Sequence, residues 1–182
     1  MRAFILLGTA AALFATSGAA SVVTVGSPYG VSCYRAAESR SPTRAAMDAC
    51  NSALTVEGLA PRDEVATYVN RGILHMLSGR TADALRDYDR ALALDPRQPE
   101  AWLNKAQVVF NQGDSTSAGA MADRALALGT RKPALAYYVR AAAREDSGDI
   151  RAAYADLVRA RQLEPGWSRP AEELTRFQVR RR

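Results

Sequence analysis

The sequence predicts an all-α protein, an α-solenoid of about three helix hairpins with a leading helix and a C-terminal capping helix. Three observations predict it. The chain repeats itself when read from Val65, Pro99 and Ala134, at offsets of 34 and 35 residues, the length of one two-helix unit. Its hydrophobic content is 48% but only 7% is aromatic, and much of the rest is alanine. Alanine is the best helix former and lets helices approach closely. Glycines and prolines recur at fixed places in the repeat, where turns are needed.

The 182-residue chain is long enough for one domain. Its charge is dense and mixed, with 24 Lys and Arg against 19 Asp and Glu, and this excludes disorder for the bulk of it. The net charge of +5 would suit a nucleic-acid binder, but cations and anions alternate along most of the chain. A solvated surface is the simpler account, and no nucleic acid is expected as a partner. Arg176 and Arg180–Arg182 form the single cluster of one sign.

Residues 1–20 read as a secretory signal peptide. Met1 and Arg2 give a positive start, Ala3 to Ala15 is apolar, and Ser17, Gly18, Ala19 and Ala20 prepare cleavage near Ala20–Ser21. The apolar run is shorter than the roughly 20 residues that span a bilayer, so a retained anchor is the lesser alternative. No later segment is apolar enough to span, so the mature chain is expected to be soluble and outside the cytoplasm. The alanine and arginine bias suggests a bacterial periplasm.

In that oxidising compartment Cys33 and Cys50 are expected to form a disulfide. The competing account makes Cys50 a small buried hydrophobe. Residues 21–40, with Gly26, Pro28 and Gly30, read as extended or poorly ordered. Residues 41–60 read as a leading helix, opened by Ser41-Pro42. Ala46, Cys50 and Ala53 fall at repeat positions 20, 24 and 27, as in the second helix of an incomplete repeat.

The three full units are 65–98, 99–133 and 134–167. Position four is aromatic (Tyr68, Trp102, Tyr137) and position eight is small (Gly72, Ala106, Ala141). Position fifteen is Gly79, Gly113 and Gly148, in the turn between helices. Positions twenty and twenty-seven are alanine throughout: Ala84, Ala118 and Ala153, then Ala91, Ala125 and Ala160. Small residues at the crossing let two antiparallel helices meet, and the aromatic at position four is expected to fill the space beside them. Repeat one adds Tyr88 at position twenty-four and Pro96 after the second helix. This set of residues resembles the tetratricopeptide repeat (TPR) family, over roughly residues 62–179. Position seven departs from that family's usual leucine. It is Arg71, Lys105 and Arg140, whose stems are expected to cover the helix while their charge stays in water.

Residues 168–182 read as a capping helix and basic tail. Pro170 opens it, and Trp167, Ala171, Leu174 and Phe177 share a face that closes the end of the stack.

The chain offers little for catalysis, and it is expected not to be an enzyme and to need no cofactor. His75 is the one histidine, at a packing position, and no Cys-x-x-Cys pair exists. Neighbouring carboxylates at Asp87–Asp89 and Glu145–Asp146 point to different helix faces. The repeat glycines stand alone and form no phosphate loop.

The resemblance implies a concave groove lined by the first helices, holding another protein or peptide. By position it would be lined by Val69, Asn70, Ile73, Leu103, Asn104, Gln107, Tyr138 and Ala142. Some TPR proteins hold a C-terminal carboxylate with Lys, Arg and Asn groove residues. Asn104 matches one such place, but Val69, Ile73, Leu135 and Val139 stand at the others, so that clamp is absent. The partner is expected to present apolar side chains and main-chain groups to Asn70, Asn104 and Gln107. Against this, the asparagines could satisfy local backbone, or the chain's own tail could fill the groove. Two other roles stand beside the adaptor: an accessory or assembly subunit of an envelope complex, and an anionic-polymer binder acting through the Arg-rich C-terminus.

Overall fold

A computed structural model describes residues 19–24 and 26–177. The apolar run of the expected signal peptide and Arg180–Arg182 lie outside the described residues. Among the described residues the chain is helical: α1 (Pro28–Glu38), α2 (Arg44–Val56), α3 (Pro61–Leu77), α4 (Thr81–Leu94), α5 (Pro99–Asn111), α6 (Ser115–Ala127), α7 (Pro133–Asp146), α8 (Ile150–Leu163) and α9 (Ser168–Leu174). No helix is long and apolar enough to cross a membrane among those residues.

The helices pair as α1–α2, α3–α4, α5–α6 and α7–α8, and each second helix packs on the next first helix. The first helices also touch one another in order, α1 to α3 to α5 to α7, and so form one wall of the stack. Every first helix opens on a proline, at Pro28, Pro61, Pro99 and Pro133, where the missing N–H costs nothing. Thr43, Asp114 and Asp149 cap three of the second helices through the N–H groups of Ala46, Ser117 and Ala152.

The turns inside the hairpins share one bond pattern. Ser41, Arg80, Asp114 and Asp149 donate to the carbonyls of Ala36, His75, Val109 and Arg144, each five residues back. Each needs a left-handed residue just before. Gly79, Gly113 and Gly148 supply it at φ +73°, +91° and +83°, and in the first hairpin Arg40 does so at φ +55°. At the end of α6 a further left-handed glycine, Gly129, and the bond from Thr130 to Ala125 replace the proline used elsewhere.

Two expectations are corrected here. Residues 28–38 are helical rather than extended, so the leading unit is a whole hairpin. The Cys33–Cys50 disulfide therefore joins α1 to α2, not an extended segment to a helix. The second concerns packing. Tyr88, wholly buried, fills the space above Gly72, where a Cβ would lie 2.5 Å from its ring. The position-four rings are only half-buried. The Arg71 and Arg140 guanidiniums stack over Tyr68 and Tyr137 at 5.5 and 5.1 Å, and the Trp102 indole donates to the Pro96 carbonyl.

Position seven is corrected as well. Its charges are paired rather than left in water. Arg71 forks onto Asp87 at 2.9 and 2.6 Å, and Arg140 onto Asp156 at 2.8 and 2.7 Å, each within one hairpin. The same side chains reach back one repeat: Arg71 to Asn51, Lys105 to Asp89, and Arg140 to Asp123. Arg71 and Arg140 thus tie their hairpins both to themselves and to the preceding one, while Lys105 reaches only the preceding one.

Candidate functional site

The wall made by α1, α3, α5 and α7 is not bare. An extended segment, residues 19–24, lies against it. Its residues alternate as a strand does: Ala20, Val22 and Thr24 point in and are buried, Ser21 is half-buried, and Val23 faces out at 37% exposure.

Two asparagines hold this segment by its main chain. The Val22 N–H donates to Asn70 Oδ1 at 2.8 Å, and Asn70 Nδ2 donates to the Val22 carbonyl at 2.6 Å. Two residues earlier, the Ala20 N–H donates to Asn104 Oδ1 at 3.1 Å, and Asn104 Nδ2 returns to the Ala20 carbonyl at 3.2 Å. Each amide therefore behaves as a neighbouring strand would. Both asparagines occupy position six of their repeats, on α3 and α5, so the two-residue period of the strand meets the one-repeat period of the wall. The segment runs from α5 towards α1, against the order of the repeats. In α7 position six is Val139, buried and without an amide, so the ladder has two rungs.

Outside the ladder, the Arg131 guanidinium donates to the Ser21 carbonyl and also pairs with the buried Glu100. At the other end the Ser27 hydroxyl and the Tyr29 N–H both donate to the Glu57 carboxylate. The Thr24 hydroxyl and the Gln107 Oε1 are buried with no hydrogen-bond partner.

The expected groove residues divide accordingly. Asn70 and Asn104 touch the segment. Val69 and Ile73, wholly buried, sit in one core cluster with Val22, Cys33 and Ala37. Leu103 belongs to the second core. Tyr138 packs against Trp167 at 5.0 Å, under the C-terminal cap, and burial is the first cause that raises its pKa. Ala142 and Gln107 are half-buried. Nothing in the sequence marked the partner segment itself, beyond its alternating small and β-branched residues.

His75 lies between α3 and α4, 3.8 Å from Asp83 and 3.7 Å from Asp87, with Nδ1 buried and unbonded. Burial lowers its pKa, Asp87 and Asp83 oppose that, and Arg80 and Arg71 add to it. Asp87 is already engaged by Arg71, so this set is a packed ion cluster. At the far end Arg176 pairs with Glu145 and Glu173, which removes it from the basic cluster read in the sequence. Its pKa is raised: burial opposes this, and the hydrogen bond to Glu145 is the largest cause in favour.

Hairpins of this length, with small residues at each crossing and a shared wall of first helices, define a helical-repeat protein of the interaction type. Residues 69–133 match the family model described as tetratricopeptide repeat. Among solved structures, the first TPR of Spaghetti (RPAP3) bound to HSP90 peptide SRMEEVD is 26% identical, covers 62% of this chain and 89% of that one, and has a TM-score of 0.57. The first TPR domain of the human RPAP3 protein, solved by NMR, gives 26% identity, 64% and 91% coverage and a TM-score of 0.57. No curated protein matches the sequence. Residues 69–133 are thus tetratricopeptide repeats, and with the peptide-bound TPR neighbour they support a protein–protein interaction module.

Proposed function

We propose that the protein is a non-enzymatic adaptor or scaffold of the cell envelope, which docks an extended segment of another protein in the groove where its own residues 19–24 now lie. One observation carries this reading: two buried side-chain amides hold the main chain of an extended segment, a geometry that recognises a peptide backbone. The Spaghetti repeat shares the fold and holds the acidic peptide SRMEEVD. Here Val69, Ile73, Leu135 and Val139 are buried apolar residues, so the groove suits an apolar or neutral segment. The periplasmic location rests on the expected signal peptide and on the disulfide. Cleavage at Ala20–Ser21 would remove one rung of the ladder and free Asn104.

The test is capture from an envelope extract at low and high salt, with a photo-crosslinking residue in place of Asn111, exposed one turn beyond Gln107 on α5. A second chain carries the crosslinker at Arg124, exposed on α6. Defined proteins held at high salt and crosslinked from position 111 but not 124 are the expected result. Retention of anionic polymer alone, released by salt, would overturn the adaptor and move the function to the Arg-rich C-terminus.

A further inference from the structure

Granting that the groove is the docking surface, the way residues 19–24 are held says what kind of partner it takes. We propose that this segment is a displaceable internal ligand, and that the partner is an extended, neutral peptide which presents a small residue and a β-branched residue two apart, both with free main-chain N–H groups, followed two further on by an apolar residue.

The main chain supplies the four ladder bonds, so any non-proline strand can make them. Selection falls on the inward side chains. Ala20 and Val22 are 3% and 9% exposed, so a larger residue at the first site would have to displace its neighbours. Thr24 is also 3% exposed, but its hydroxyl finds no partner. A buried hydroxyl without a bond is costly, so the resident segment is an imperfect occupant, and valine would suit that site better. Gln107 Oε1, one turn beyond Asn104 on α5, is a second buried acceptor left open, available to a donor on an incoming chain.

The segment is also built to leave. It lies outside the disulfide loop, and Gly26, at φ +84° with open space around it, joins it to α1. Its outward face is bonded by Arg131, to Ser21. Removal of residues 1–20, as the signal peptide predicts, would take away the Asn104 rung and leave the Asn70 rung.

The probe is a fluorescent AASVVT peptide, the sequence of residues 19–24, titrated by anisotropy. The protein is the full, unprocessed chain, wild type and with Ala20→Pro and Val22→Pro, which delete both ladder N–H groups. The opened chain should bind the peptide at least tenfold tighter than wild type. Adding Asn104→Ala to the opened chain should weaken binding about tenfold, the worth of the two bonds lost. A peptide with valine in place of the final threonine should bind several-fold tighter. A folded opened chain that ignores the peptide, or binds it equally after Asn104→Ala, would overturn the proposal.

Hydrogen exchange on wild type tests the idea without any variant. The Ala20 and Val22 amides should exchange well before those of α3 and α5, and exchange only with the core would make the segment a fixed part of the fold. A wild-type dimer that the peptide dissociates would place a second copy's segment in the groove and overturn the internal assignment. Peptide binding to the opened chain, with no protein captured from extract, would remove the adaptor role and leave the ladder. Capture without peptide binding would do the reverse.

Discussion

Reducing the Cys33–Cys50 disulfide should loosen one end of the molecule and leave the other intact. The two cysteines are 17 residues apart, and the bond closes the α1–α2 hairpin on itself. Opening a loop of that size returns about 10 cal/mol/K of chain entropy to the unfolded hairpin, or about 3 kcal/mol at 25 °C. In a globular domain of this length that would lower Tm by about 6–12 °C throughout. A repeat stack is different, because each unit contacts only its neighbours and stability is local. The loss should therefore concentrate in α1 and α2, as a roughly hundredfold faster opening of their amides, with α7 and α8 nearly unchanged.

Both sulfurs are wholly buried, so the chain has to be unfolded, reduced and refolded in dithiothreitol before exchange is measured by mass spectrometry. Residues 19–24 should lose protection with α1, to which they are joined. Unchanged exchange in α1 and α2 would refute the reasoning about loop entropy. Equal loss in every helix would refute the one-dimensional picture instead.

Other substitutions test single features. Arg40 holds the left-handed turn position that glycine holds in the other three hairpins, so Arg40→Gly should stabilise the chain by about 0.5–1 kcal/mol, read from urea midpoints. The Tyr88 hydroxyl is buried and unbonded, and Tyr88→Phe should keep the packing over Gly72 while raising Tm; a fall in Tm would mean that the hydroxyl is bonded. His75 is held below its ordinary pKa of 6.5, chiefly by burial. The unfolded chain therefore takes up its proton first. The stability that neutral His75 contributes is complete above about pH 6.5 and is lost as pH falls through the folded value, by at most about 1.4 kcal/mol per unit. Urea midpoints between pH 7.5 and 5.5 should fall for wild type and flatten in His75→Gln; identical slopes would remove His75 as the cause.

The repeats were legible because their grammar is local. Alanines at positions twenty and twenty-seven, glycine at fifteen and the aromatic at four each follow from a helix crossing or a turn inside one hairpin. The leading hairpin was hidden by two substitutions of that grammar. Arg40 stands where glycine marks the turn, and Gly26, Pro28 and Gly30 together imitate a loop. Ser27-Pro28 carried the same helix-start pattern as Ser41-Pro42, and the Ser27 hydroxyl does accept from the Gly30 N–H. Gly30 is needed for close approach, since a Cβ there would lie 2.6 Å from that hydroxyl. The ion pairs of position seven were readable in principle, from acids sixteen residues on at Asp87 and Asp156. The groove's occupant was not. Its bonds come from the main chain, which every sequence shares, and its partners lie 48 and 84 residues away.

Asn70 and Asn104 constrain how such a groove can work. Both are wholly buried, and each carries a donor and an acceptor. An empty groove would leave those groups to water or unbonded, at about 1–3 kcal/mol for each one unsatisfied. Recognition is then an exchange of one strand for another, with the number of ladder bonds held constant. A free peptide that only equals residues 19–24 competes against a tethered segment whose effective concentration is of millimolar order. It would have to approach that concentration to win. Two changes alter the balance. An apolar side chain in the Thr24 site removes a buried, unbonded hydroxyl and gains several-fold in affinity. Loss of Ala20 by processing strips the resident strand of half its ladder while an incoming strand keeps both rungs. The second change acts once and irreversibly, so cleavage at Ala20–Ser21 would couple export of the chain to opening of its groove.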